Sequence, residues 1–187
     1  MNCLSAFRIP TNTRNEYATR EDVRRLFTDH VRSLYLLSFL LTANHEKAEQ
    51  CFVAGLDECM TGNPIFQEWA RTWARRIIVR NAIQMIAPRI DSARAARGAF
   101  HSPGGGVPAT MSSQDLQFAD ILMLEDFERF VYVLSILEKY SDQDCAILLG
   151  VSRQDIRVGR THAFQQIADY SRVAAAPAND LLDAVMN

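Results

Sequence analysis

The residues that most narrow the folding choices are Gly150, Val151 and Ser152, because they punctuate an otherwise continuous helical pattern over 142–167. Before them, Cys145, Ala146, Leu148 and Leu149 gather into the core side of a short helix. After them, Ile156, Ala163 and Ile167 repeat at helical spacing. Gly150 supplies the turn, Val151 an apolar plug, and Ser152 a side-chain oxygen that accepts from the free amides of the next turn. The pattern predicts a helix-turn-helix. Its second helix carries Arg153, Gln154, Arg157 and Arg160 largely off the apolar face, where such side chains reach phosphates and base edges. Two amphipathic helices joined by a glycine turn can equally be plain packing units with solvated arginines, so the rest of the chain has to decide.

Upstream, the same periodicity recurs without competing β-alternation. Thr19 with Asp22 three residues on makes a capping pair, and Val23, Leu26, Phe27, His30, Val31, Leu34 and Leu37 continue it as one helical run. A break at 42–45 precedes a second helix through Ala48, Phe52, Leu56 and Cys59, which ends near Gly62, Asn63 and Pro64. A third covers about 65–85. Between 98 and 114, Pro103, the glycines at 104–106, Pro108, Ser112 and Ser113 leave little that can pack, and the segment reads as a mobile tether. Beyond it a helix is expected from about 117 to 128 and another from 129 to 140, leading into the helix-turn-helix. The expected fold is therefore all-α: two small helical domains at 19–97 and 115–172, joined by a flexible Gly/Pro linker at 98–114. Residues 1–18 read as a loose leader, and 174–187 as an alanine and proline break followed by a short amphipathic piece.

Charge is unevenly distributed although the total is only -2. Over 66–97, Arg71, Arg75, Arg76, Arg80, Arg89, Arg94 and Arg97 face Glu68 and Asp91, a net of +5, and Trp69 and Trp73 lie among them one turn apart. Rings interleaved with guanidinium groups suit a nucleic-acid single strand, since bases stack on the rings while arginines hold the backbone. Tryptophans four apart also commonly make helix–helix contacts. Spacing does not say which ring, if either, faces inward; if only Trp73 is core, its removal should mostly destabilise and that of Trp69 mainly impair strand opening. Over 115–145 the balance reverses to a net of -6, a surface that is solvated or turned toward a basic protein partner.

Several classes are excluded or disfavoured. The longest apolar run, 34–41, is interrupted by Ser38 and is too short to span a bilayer, which takes about 20 residues. The first residues lack a signal peptide's apolar core, so the expected compartment is the cytoplasm. Cys3, Cys51, Cys59 and Cys145 are scattered without metal-ligand or redox spacing and read as structural thiols; the four histidines are equally dispersed. No phosphate loop or nucleophile motif appears, so neither an enzyme nor a bound cofactor or metal is expected.

A helical block ending in a basic, tryptophan-bearing helix, then a tether, then a helix-turn-helix resembles the two-domain bacterial RNA polymerase sigma factors of the extracytoplasmic-function type, over most of 20–170. Leu124, Phe130, Val131, Leu134, Leu137, Tyr140, Ser141, Ala146, Leu149, Gly150, Val151, Ser152 and Ile156 stand in the order and spacing of the family's region four. Residues 34–41, then Lys47, Ala48, Glu49, Gln50 and Phe52, resemble the polymerase-binding part of region two, and Phe66, Trp69, Ala74, Arg75, Asn81 and Ala82 its promoter-melting helix. The resemblance implies an alternative sigma factor with core RNA polymerase and promoter DNA as partners, and an anti-sigma factor as a further one. It implies that Lys47, Glu49, Gln50, Phe52 and Asp57 meet core polymerase. Trp69, Arg71, Trp73, Arg75, Arg76, Arg80 and Asn81 would take the melted downstream element. Ser152, Arg153, Gln154, Arg157, Arg160 and Thr161 would read the upstream one.

The chain departs from the family pattern at three places. Lys47-Ala48-Glu49-Gln50 replaces an Asp-Ala-Glu-Asp run, and Arg76 replaces an asparagine. Arg157-Val158-Gly159 replaces Lys-Ser-Arg, where a mid-helix glycine costs about 1 kcal/mol against alanine and would remove a phosphate contact. These departures also fit a sigma-like adaptor, or a DNA-binding regulator that no longer initiates transcription.

Overall fold

A computed structural model describes residues 16–63, 65–90 and 113–175; of the leader expected at 1–18, the tether expected at 98–114 and the tail expected at 174–187, the parts at 1–15, 98–112 and 176–187 lie outside the described residues, whereas Tyr17 bridges to Phe66, 113–114 are already helical and 174–175 still are. The regular elements among the described residues are helices, with one isolated antiparallel bridge between Tyr17 and Phe66. In chain order they form α1 (Arg20–Asp29), α2 (Val31–Thr42), α3 (His45–Thr61), a 3-10 turn (Gln67–Trp69), α4 (Ala70–Ile86), α5 (Ser113–Leu122), α6 (Asp126–Tyr132) continuing into a π turn (Val133–Leu137), α7 (Asp142–Leu149) and α8 (Arg153–Ala175).

Local sequence explains most of the boundaries. The Thr19–Asp22 capping box opens α1, Asn44 accepts from the Lys47 amide to open α3, and Ser141 accepts from the Asp144 amide to open α7. Gly150 closes α7 at φ 67°, a left-handed conformation that glycine adopts without a Cβ penalty.

Two expected helices are divided differently. The run expected from Thr19 through Leu37 breaks at His30, whose φ of -113° and ψ of 17° leave the helical region. The break lets Val23 and Phe27 of α1 and Leu34, Leu37 and Leu41 of α2 enter one core on different axes, which a straight helix could not do. The boundary expected at 128–129 falls instead at 123–125. There Leu124 is buried, its carbonyl accepts from Arg129 Nη1 at 2.8 Å, and Glu125 is already extended ahead of α6.

In the first half α2, α3 and α4 pack on one another with α1 across them; in the second, α8 is the central strut against which α5, α6 and α7 pack. The two halves touch where α5 and α6 meet α2. Their buried side chains, among them Phe27, Leu34 and Ile78 from the first and Phe130, Leu134 and Ile156 from the second, form one connected cluster. Arg129, 4% exposed, reinforces that seam: its Nε donates to the Leu41 carbonyl at 3.3 Å and its Nη2 to Asp126. The Leu41 carbonyl lies in the last turn of α2, where carbonyls lack a helical partner and a cation complements the helix dipole.

Candidate nucleic-acid interface

At 100° per residue, Trp69, Trp73, Arg76 and Arg80 fall within roughly 60° of arc along α4. All four are exposed, while Ala70, Ala74, Ile77, Ile78 and Ala82 fill the opposite face. Neither tryptophan is in the core: Trp73 is 38% exposed and Trp69 56%, because the small residues Ala70 and Ala74 occupy the packed face and let α4 lie close to α2 and α3.

The other residues of this set are placed apart from the stripe. Arg75 faces the second half of the chain, where Nε donates to Glu138 Oε2 at 2.7 Å and Nη2 pairs with the other carboxylate oxygen. Hydrogen bonding to Glu138 pushes the Arg75 guanidinium pKa above its ordinary value. Asn81 donates to Glu58 Oε2 at 3.4 Å, and Glu58 also pairs with Arg80. Arg71 is exposed on another side of the helix.

A second face lies on α8. Ser152 and Asp155 form a reciprocal cap: the Asp155 amide donates to Ser152 Oγ at 3.1 Å, and the Ser152 amide to Asp155 Oδ2 at 3.0 Å. The same Ser152 hydroxyl donates to Asp155 at 2.7 Å, so it is committed to starting the helix. These bonds hold the Asp155 carboxyl below the usual carboxylate range. Arg153 and Gln154 project from the first turn, both exposed. Thr161 Oγ1 donates to the Arg157 carbonyl at 3.0 Å, within its own helix.

Arg157 and Arg160 share a partner that sequence reasoning missed. Asp142, at the start of α7, accepts from Arg160 Nη1 at 2.7 Å and from Arg157 Nε at 3.2 Å. Arg160 first and Arg157 second lower the Asp142 carboxyl below its ordinary pKa. The acidic segment is thus not simply a solvated surface, nor are all its charges left for another protein: Glu138, Asp126 and Asp142 neutralise Arg75, Arg129, and Arg157 with Arg160 of the same chain.

Gly159 also means something different in the fold. It is buried where α8 crosses α6, and a Cβ there would stand 2.7 Å from Phe127 Cε1 and 3.4 Å from Val131 Cγ2. A side chain at 159 would enter the core, so the glycine permits close helix approach and removes no phosphate contact.

The third candidate face is the outer side of α3. Lys47, Glu49, Gln50 and Asp57 are exposed, and Glu49, Gln50, Val53, Ala54 and Asp57 line a shallow open groove of about 530 Å³. Val53 and Ala54 supply apolar lining that charge-based reasoning passed over. Phe52 points the other way, its ring edge-on to Phe27 at 5.4 Å and to Tyr35 at 6.3 Å.

Cys51, Cys59 and Cys145 fit their structural reading, and Cys3 lies outside the described residues. Burial pushes Cys51, Cys59 and Cys145 up to about 11, and Cys51 Sγ donates to the Ile78 carbonyl at 3.4 Å. Among the described residues, no cluster of His, Cys, Asp and Glu could hold a metal ion, and no helix is long and apolar enough to cross a membrane.

No protein-family model and no curated protein matches the chain. Among solved structures it is similar to the sigma factor RpoE of Bartonella quintana, determined in complex with the anti-sigma factor NepR. The match has a TM-score of 0.52 and 16% identity, and covers 82% of this chain and 98% of that one. The chain therefore has a sigma-factor-like, all-α fold.

Proposed function

We propose that the protein is an alternative sigma factor. In this reading the groove face of α3 docks on core RNA polymerase. The Trp69–Trp73–Arg76–Arg80 stripe captures the unwound downstream promoter element, and the first turns of α8 enter the major groove of the upstream one. The units are 19–97 and 115–172, joined through 98–114. The observation that carries the reading is the exposed aromatic–guanidinium stripe on α4, displayed within a sigma-factor-like fold that also presents an arginine-bearing helix after a capped turn. The polymerase supplies the chemistry, so the protein acts by binding alone. Because the similar sigma factor was solved with an anti-sigma factor, an anti-sigma protein is proposed as a further partner.

The test is core-polymerase pull-down followed by run-off transcription from the chain's own upstream region and from host promoters. Association with core and a defined transcript are expected; neither association nor initiation on any promoter would overturn the proposal.

A second reading is a sigma-like adaptor or DNA-binding regulator that no longer initiates. It is favoured by one observation: Glu58, Glu138 and Asp142 already occupy Arg80, Arg75, and Arg157 with Arg160. It predicts binding to polymerase or to duplex DNA without run-off product, so the same pair of measurements separates the two.

A further inference from the structure

A π turn and a left-handed residue aim one carboxylate of the second half at α4. The Glu138 amide donates to the Val133 carbonyl at 2.9 Å and the Tyr140 amide to the Leu134 carbonyl at 3.0 Å, while Lys139 between them takes φ 61°, uncommon for a residue with a Cβ. The widened turn delivers the Glu138 carboxylate to Arg75, where it accepts from Nε at 2.7 Å and pairs with Nη2. The Glu138 side chain is only 9% exposed and that of Arg75 25%, so water reaches the guanidinium more than the carboxylate. Tyr140 follows into the same corner: burial raises its phenol above the ordinary pKa, and the Arg76 guanidinium of the exposed stripe opposes that rise. The second half thus covers one flank of α4. The rest of the seam is partly polar, since the buried Arg129 crosses it to the Leu41 carbonyl, and a partly polar interface within one chain is the kind that parts.

We propose that the Arg75–Glu138 pair is a latch that holds the two halves closed, and that a phosphate backbone lying on α4 opens it by taking Arg75 from Glu138. A guanidinium binds a phosphate in the same two-pronged manner as a carboxylate, so the exchange keeps Arg75 paired. It does not keep Glu138 paired. A carboxylate left almost without water and without a cation is strongly unfavourable, so the second half must swing away until Glu138 reaches solvent. Strand binding and separation of the halves are then one linked event, and each favours the other by the same factor. The latch itself follows from the ion pair; only its opening by a strand rests on the proposed strand capture by α4.

The experiment uses the full chain with donor and acceptor dyes on Gln84→Cys in α4 and Gln165→Cys in α8, both exposed positions, in a Cys3→Ser and Cys59→Ser background. The probe is a single-stranded DNA of about a dozen nucleotides. Saturating strand is expected to lower energy transfer in the parent, and Glu138→Lys, which faces Arg75 with a like charge, to lower it without any strand. Joining Glu138→Lys to Arg75→Glu restores opposite charges and should restore transfer, a rescue that a merely structural role at either position would not produce. Glu138→Gln should lower transfer part of the way and bind the strand about tenfold more tightly, the gain expected if the parent's halves are parted about a tenth of the time. Helical circular dichroism identifies a variant that fails to fold, and Glu138→Gln tests the latch if Glu138→Lys is one. Transfer that stays at the parent's value in the folded variants would overturn the latch. A strand that binds with transfer unchanged would overturn its opening by phosphate. A parent chain that binds no strand would overturn strand capture and that opening together, while the transfer of the Glu138 variants still decides the latch.

Discussion

Gly159→Ala puts two opposing effects on one atom. In an exposed helix the change would stabilise by about 1 kcal/mol, since alanine is the better helix former. Here the new Cβ would stand 2.7 Å from Phe127 Cε1 and 3.4 Å from Val131 Cγ2. Carbon atoms settle at about 3.5–4.0 Å, so α8 or the ring must give by roughly 1 Å. Phe127 is 5% exposed and packed among buried neighbours, so its ring has no open space to swing into. Overpacking of this kind costs about 1–3 kcal/mol. The net expectation is destabilisation by about 1 kcal/mol, read as a lower urea midpoint with an unchanged slope, and by about 2–4 °C in melting temperature. Phe127→Leu should relieve the crowding, so the double variant should be more stable than the sum of the two single changes. Gly159→Arg should destabilise by more than about 3 kcal/mol through an unpaired charge in the core and should add no DNA affinity. A Gly159→Ala midpoint raised by the full propensity gain would refute the close approach of α8 to α6.

Asp142→Asn should free Arg157 and Arg160, raising affinity for duplex promoter DNA and steepening the slope of log affinity against log salt by up to about 2; an unchanged slope would count against the clamp. Because Asp142 has its folded pKa lowered by the two arginines, its contribution to stability is present above the unfolded value near 3.9 and is lost as pH falls through the lowered value, so Asp142→Asn should flatten that part of an acid-unfolding curve. Trp69→Ala and Trp73→Ala should each impair promoter opening followed with 2-aminopurine, with Trp69→Ala, the more exposed of the two, costing less stability; a loss of about 3–5 kcal/mol for Trp73→Ala, the scale of a core aromatic, would return that ring to the core. In a Cys3→Ser background at pH 7.5, the buried Cys51 and Cys145 should resist Ellman's reagent until the chain unfolds and the half-buried Cys59 should react slowly, since burial holds their thiols near 11; rapid labelling of Cys51 or Cys145 in the native protein would contradict that burial.

By itself the sequence determined the features whose causes span a few residues. Thr19 with Asp22, Asn44 with the Lys47 amide, Ser141 with Asp144 and Ser152 with Asp155 act within one turn, and Gly150 needs only its own φ. The all-α fold and the helix after the turn were legible for that reason, as were the arginine and tryptophan candidates themselves. Tertiary structure decided which of those candidates stay free. Arg75 meets Glu138 63 residues away, and Arg160 meets Asp142 18 residues away, so local spacing could not reveal either partner. Helical spacing groups Trp69 and Trp73 on one face but does not say which side of α4 is covered; packing through Ala70 and Ala74 does. Gly159 shows the difference most directly. Taken along the helix it is a missing arginine, but in the fold it is the space that the Phe127 ring requires, because the distance between two helices is set by the side chains at their crossing.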